Sequence, residues 1–184
     1  MSPPKLIVMA KPPPTVRNAM LQALRDLGLE KRLGNAMFEP ENWHQTLSSL
    51  YPDAPQYLDA LARTCATVSA ERFPFSLDRI VGSKIDKIHL AFRATRTPKG
   101  MSALKSAIRN NLRMSGLIDE AKNSPHVTIS YRAPELLGTI SITPIVWSID
   151  EFLLVRNGGK PFHYEELGRW SLKAPAPSPQ LSLF

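Results

Sequence analysis

Two stretches of this 184-residue chain repeat one pattern: His44-Gln45-Thr46 after Trp43, and His126-Val127-Thr128 after Pro125. In an extended strand alternate side chains share a face, so each histidine stands beside its threonine. An imidazole next to a hydroxyl is half of a proton-transfer site, and two such pairs facing one another make a whole one. The motifs lie 82 positions apart, from 44 to 126, close to half the chain. A fold that uses both must bring two distant strands together, which narrows the architectures open to it.

The intervening pattern predicts the elements that do so. Residues 5–10 read as a strand, stopped by Lys11-Pro12-Pro13-Pro14, which cannot continue a ladder. Thr15 is placed to cap a helix carrying Val16, Met20, Ala23, Leu24 and Leu27, with Gly28 as its stop. The first motif falls in an expected strand, 43–50. Asp53 opens a second helix with Leu58, Leu61, Cys65 and Val68 on its inner face. Strands are expected at 73–80 and 84–93; in the latter Ile88, Leu90 and Phe92 alternate with Lys87, His89, Ala91 and Arg93. Met101, Leu104, Ile108 and Leu112 mark a third helix ending near Gly116. In the second motif strand, 125–131, Val127, Ile129 and Tyr131 point to a core while His126, Thr128 and Ser130 face a groove. Two more strands, 145–155 and 162–172, are divided by the turn Asn157-Gly158-Gly159. The order of elements predicts an α+β fold of two similar antiparallel lobes, with outer helices around a central groove.

Composition sets the boundaries. With 23 Lys+Arg against 16 Asp+Glu the formal charge is +7, favouring acidic partners such as RNA or nucleotides. Cys65, the single cysteine, excludes an internal disulfide framework and fits a reducing cytoplasm. There is no CxxC, HxxxH or HExxH spacing, so neither a metal site nor a cofactor is expected. The apolar run at 6–10 is too short for a signal-peptide core, and no run approaches a membrane span. One domain is expected over 1–172, followed by a Pro-rich tail, 173–184.

The paired motifs, their spacing, Phe73-Pro74-Phe75-Ser76-Leu77, the Gly82 turn before Ile88, and the ending Gly159, Tyr164, Leu167, Trp170, Leu172 resemble the two-histidine (2H) phosphoesterases. Within them the chain is most similar to the RNA 2',3'-cyclic phosphodiesterases, also called 2'-5' RNA ligases, the LigT-like proteins. It departs from that pattern after the first motif, where Ser48-Ser49-Leu50 replaces a common Phe-Leu-Gly, and at Tyr131, where an Arg is frequent and Arg132 comes one residue late. The resemblance implies hydrolysis of RNA 2',3'-cyclic phosphate ends to 2'-phosphates, with 2'-5' ligation as the reverse. His44 and His126 are the expected catalytic pair, His44 protonating the leaving 3' oxygen and His126 activating water; the residues alone also allow the reverse assignment. Thr46 and Thr128 are expected on the phosphate, with Ser130, Tyr131 and Arg132 as further substrate contacts. Small cyclic nucleotides or 2'-5' oligonucleotides are an alternative substrate class. A nucleotide- or RNA-binding module without turnover is the alternative outside enzymes.

The remaining residues have plainer expected roles. Trp43 is assigned to packing, with stacking on a base as the alternative; His89, on the polar face of its strand, is assigned a simple structural role, with bordering the groove as the alternative; His163 is assigned no function. Arg93, Arg96 and Lys99 form a basic cluster that either contacts a phosphate backbone or is solvated. The tail ends Gln180-Leu181-Ser182-Leu183-Phe184, which resembles the peptide that bacterial replication and repair proteins lay in the sliding clamp. Gln180, Leu181, Leu183 and Phe184 are its expected contacts.

Overall fold

The computed structural model describes residues 3–84, 86–121 and 124–175. The first strand, β1 (Lys5–Ala10), runs into the prolines, and Pro14 takes the first position of helix α1 (Pro14–Asp26). A residue without an N–H fits there, because that donor has no intrahelical acceptor. Pro13 is therefore the N-cap, and Thr15 lies inside the helix instead of capping it. Gly28, at φ 67°, adopts the left-handed conformation that ends α1. A short helix that the periodicity does not predict, α2 (Leu29–Leu33), follows.

The expected 43–50 strand is mostly replaced by side-chain bonding. Ladder pairing survives only in β2 (Gln45–Thr46) and β3 (Tyr51–Pro52). Between them the Ser48 hydroxyl accepts the Val8 N–H at 3.0 Å and donates to the Ser49 carbonyl at 2.8 Å. Serine competes for backbone groups in this way, so strand propensity alone misleads here. Helix α3 (Pro55–Ala66) starts from an Ala54 N-cap; Asp53 instead accepts the Arg156 Nε–H at 2.8 Å. Strands β4 (Phe73–Lys84) and β5 (Ile88–Arg93) form a hairpin, and α4 (Lys99–Met114) buries Met101, Leu104, Ile108 and Leu112 completely. Strand β6 (His126–Ser130) carries the second motif. The single strand expected at 145–155 is two, β7 (Thr139–Ile149) and β8 (Glu151–Gly158), broken at Asp150; β9 (His163–Ser171) returns along β8.

The described strands form one antiparallel sheet in the order β7-β4-β5-β6-β2-β1-β8-β9, with β3 on β1. The two motif strands meet at its centre through the pair Gln45↔Val127. Outward from that pair the order is symmetric: β5 answers β1, β4 answers β8, and β7 answers β9. The registers repeat too, since Met9↔Thr46 and Ala10↔Gln45 on one side match Ala91↔Thr128 and Phe92↔Val127 on the other, each shifted by 82. The two similar antiparallel lobes are thus halves of a single ladder.

That ladder curls. Ile149 and Glu151 are separated by one residue, a span of roughly 7 Å at most, yet they belong to strands six ladder steps apart, roughly 29 Å across a flat sheet. Both halves consequently feed one core, in which Val8 and Phe152 join Phe75, Phe92, Val127 and Trp147. Alternation sends Ile7, Met9, Leu153 and Val155 to the opposite face, where they pack with Tyr164. At the C-terminal end Leu172 and Lys173 remain paired, donating backbone N–H groups to Asp150 and Ala70. No helix among the described residues is long and apolar enough to cross a membrane.

Candidate active site

The central pairing places His44, at the entry to β2, and His126, at the start of β6, on the groove face with Thr46 and Thr128. Each ring is oriented the same way. His44 Nδ1 donates to the carbonyl of Asn42 at 2.8 Å, and His126 Nδ1 donates to the carbonyl of Ser124 at 2.8 Å. A carbonyl only accepts, so each Nδ1 carries the hydrogen and each Nε2 is left as the nitrogen with a free lone pair. Gln45, the buried middle residue of the first motif, ties the two motifs together. Its Oε1 accepts the His126 N–H at 2.7 Å and its Nε2 donates to the Thr46 carbonyl at 2.7 Å. The sequence signal for this role is a polar side chain pointing at the core from the middle of a motif.

The electrostatics favour neutral histidines in the absence of an anion. Burial, with Lys11 and His126 nearby, pulls His44 down to about 4 even though its bond to Asn42 opposes the shift. Burial, with Arg93 and Lys105, also lowers His126. The cations Lys11 and Arg93 occupy matching places in the two halves, 82 positions apart from 11 to 93. An anion seated among these groups would reverse the balance by favouring the charged imidazoles. Thr128 is buried, while the Thr46 hydroxyl has no side-chain hydrogen bond among the described residues.

Other predicted residues fare differently. Ser130 is fully buried and its hydroxyl accepts the Arg132 N–H at 2.9 Å, so it shapes a turn instead of facing the groove. That turn ends β6 and breaks the alternation. Tyr131, expected on the core side, is therefore 53% exposed and stacks on the groove-facing His89 with centroids 4.9 Å apart. Arg132 and Tyr131 line a cavity of about 770 Å³ with His89, Phe38, Lys87 and Asp86. For His89 the alternative of a place at the groove border replaces the expected simple structural role: its Nε2 lies 3.1 Å from Thr128 Oγ1 and its ring 5.6 Å from that of His126. Its signal in the sequence is its place on the polar face of β5.

Trp43 is buried against Phe92, as expected for packing. His163 is exposed and donates Nδ1–H to the Pro161 carbonyl at 3.0 Å. Of the basic cluster, Arg93 opposes His126 across the ladder and donates to Ser124 Oγ at 2.6 Å, whereas Arg96 and Lys99 are exposed. Tyr164 packs edge-on against His44 at 4.9 Å, with Phe162 against Tyr164 at 5.3 Å. Aromatic rings thus stand beside both halves of the site. Among the described residues no three His, Cys, Asp or Glu side chains converge as a metal site. Gln180, Leu181, Leu183 and Phe184 lie outside the described residues.

No family model and no curated protein sequence matches the chain significantly. Solved structures do. E. coli LigT in its apo form aligns with a TM-score of 0.75 at 21% identity over 93% of this chain and 99% of LigT. E. coli LigT complexed with 3'-AMP aligns with a TM-score of 0.72 at 20% identity, over 93% and 99% of the two chains. The protein TT0787 of Thermus thermophilus aligns at 0.70 and 20% identity, over 94% and 100%. Alignment over nearly the whole length of each, with the motif strands at the centre of one symmetric ladder, gives this chain the LigT fold.

Proposed function

We propose that this chain is a metal-independent 2H phosphoesterase that opens RNA 2',3'-cyclic phosphate ends to 2'-phosphates. The observation that carries the reading is the matched pair of Nδ1–H anchors to Asn42 and Ser124 across the central Gln45↔Val127 pair. They leave two Nε2 atoms, related by the repeat, to handle the two protons that the reaction moves. Water attacks phosphorus as His126 Nε2 takes its proton. The P–O3' bond breaks as His44 Nε2–H protonates the departing oxygen, leaving the phosphate on the 2' oxygen. Thr46 and Thr128 donate to the non-bridging oxygens as negative charge builds on them. His44 gains its proton when the anion arrives, since burial keeps it neutral otherwise.

Run in reverse, the site would join a cyclic-phosphate end to a 5'-hydroxyl; water, being in excess, favours hydrolysis. E. coli LigT has been crystallised with 3'-AMP and with ATP, which favours small nucleotides as a second substrate class. The test is turnover of 2',3'-cyclic AMP and of a short RNA ending in a cyclic phosphate, with EDTA present. A 2'-phosphate product is expected, lost in both His44→Ala and His126→Ala. A cyclic phosphate with sulfur at the bridging 3' position, whose thiolate leaves without a proton, should restore His44→Ala and not His126→Ala. Folded protein without turnover of either natural substrate would overturn the proposal and leave a binding module.

A further inference from the structure

His89 is not required by the sheet. Its counterpart in the other half, 82 positions earlier, is Ile7, which is 4% exposed and packs among apolar side chains. An apolar residue therefore suits this place in the ladder, and the histidine needs another explanation. Several features fix where it points. Thr128 pairs with Ala91, within diagonal reach of His89, and the register shift between Ala91 and Leu90 sets Leu90 opposite Ser130, which brings His89 alongside Tyr131. The His89 ring stacks on Tyr131 at 24° between planes, and Phe38 braces Tyr131 edge-on at 5.3 Å. The Phe38 N–H in turn bonds the Ile129 carbonyl at 2.9 Å, which fixes that brace to β6. Held in this way, His89 Nε2 lies 3.1 Å from Thr128 Oγ1.

A threonine hydroxyl has one hydrogen to give. If His89 Nε2 accepted it, Thr128 would turn only lone pairs toward a phosphate oxygen, an arrangement that repels. If Nε2–H donates to Oγ1, the hydroxyl hydrogen is left for the phosphate. We propose, on the reading of this groove as a phosphate-ester site, that His89 is a positioning residue which donates Nε2–H to Thr128 and so turns the Thr128 hydroxyl hydrogen toward the substrate phosphate. The resulting chain runs from His89 Nε2–H through Thr128 O–H to a non-bridging oxygen, with each hydrogen bond strengthening the next. Thr46 has no corresponding donor among the described residues, so the two threonines of the repeat are unequal partners of the phosphate.

The test compares His89→Ile, which installs the residue of the matching position, with His89→Gln, whose amide nitrogen can take the place of Nε2–H. On cyclic phosphate, His89→Ile should lower kcat/KM about ten- to a hundredfold, short of the full loss of an oxyanion donor. His89→Gln should recover most of it. In the Thr128→Ala background His89→Ile should have no further effect. Inorganic phosphate binding, measured by calorimetry, is the companion readout: weaker in His89→Ile and near the original value in His89→Gln. Equal loss in both variants, or additive loss with Thr128→Ala, would overturn the role of His89. If the unmodified protein turns over no cyclic phosphate, the proposed activity fails; the phosphate affinities of the two variants still decide the role of His89.

Discussion

The site's behaviour is set first by single imidazoles. His44 in the folded protein stays neutral down to about pH 4, whereas in an unfolded chain it takes up a proton near 6.5. Below 6.5 the unfolded state therefore binds a proton that the folded state refuses, and stability falls until both are protonated. His44 alone should cost about 3 kcal/mol across that window. His126 and His89, also pulled down by burial, act in the same direction. Urea midpoints measured at pH 7 and pH 4.5 should differ markedly in the unmodified protein and less in His44→Gln. Inorganic phosphate should narrow the gap, because an anion in the groove stabilises the protonated rings. An unchanged gap in His44→Gln would show that His44 is not held neutral by its surroundings.

At the scale of elements, the join between β2 and β6 is narrow: a single register pair, reinforced by the Gln45 amide. Gln45→Leu keeps the bulk and removes both bonds, stranding the His126 N–H and the Thr46 carbonyl in a half-buried place. A loss of about 2 to 4 kcal/mol is expected in denaturant titrations, with kcat on cyclic phosphate falling at least tenfold as His126 loses its tether. Lower stability with unchanged kcat would make Gln45 a structural tie only. The elements also show what a sequence can reveal. His44, Thr46, His126 and Thr128 are legible because strand alternation alone places each pair on one face. Tyr131 is not, because Ser130 folds back on the Arg132 N–H and ends the alternation one residue early. The role of His89 is hidden because its partner, Thr128, is reached diagonally across a ladder whose register no periodicity within one strand encodes. The break at Asp150 is concealed within an unbroken run of strand formers, although it separates strands near opposite ends of the sheet.

For the molecule as a whole, the curled ladder sets a repeat of 82 residues around the central pair and brings one cation to each half, Lys11 beside His44 and Arg93 beside His126. This arrangement, on a chain of formal charge +7, offers more positive charge than one cyclic phosphate can use. A polynucleotide adds a negative charge at every nucleotide, and each phosphate neutralised releases counterions, with a slope for single strands of about 0.7 in log affinity per log salt. Between roughly 50 and 200 mM salt, each additional phosphate contact should therefore weaken binding about two- to threefold. The KM of an RNA ending in a cyclic phosphate should accordingly rise more steeply with salt than that of 2',3'-cyclic AMP. Lys11→Gln should flatten both curves by about one contact, because Lys11 stands beside His44 and so meets the terminal phosphate that the two substrates share. Parallel slopes for the two substrates would mean that the groove engages only the terminal phosphate, and would favour small cyclic nucleotides over RNA ends as its substrates.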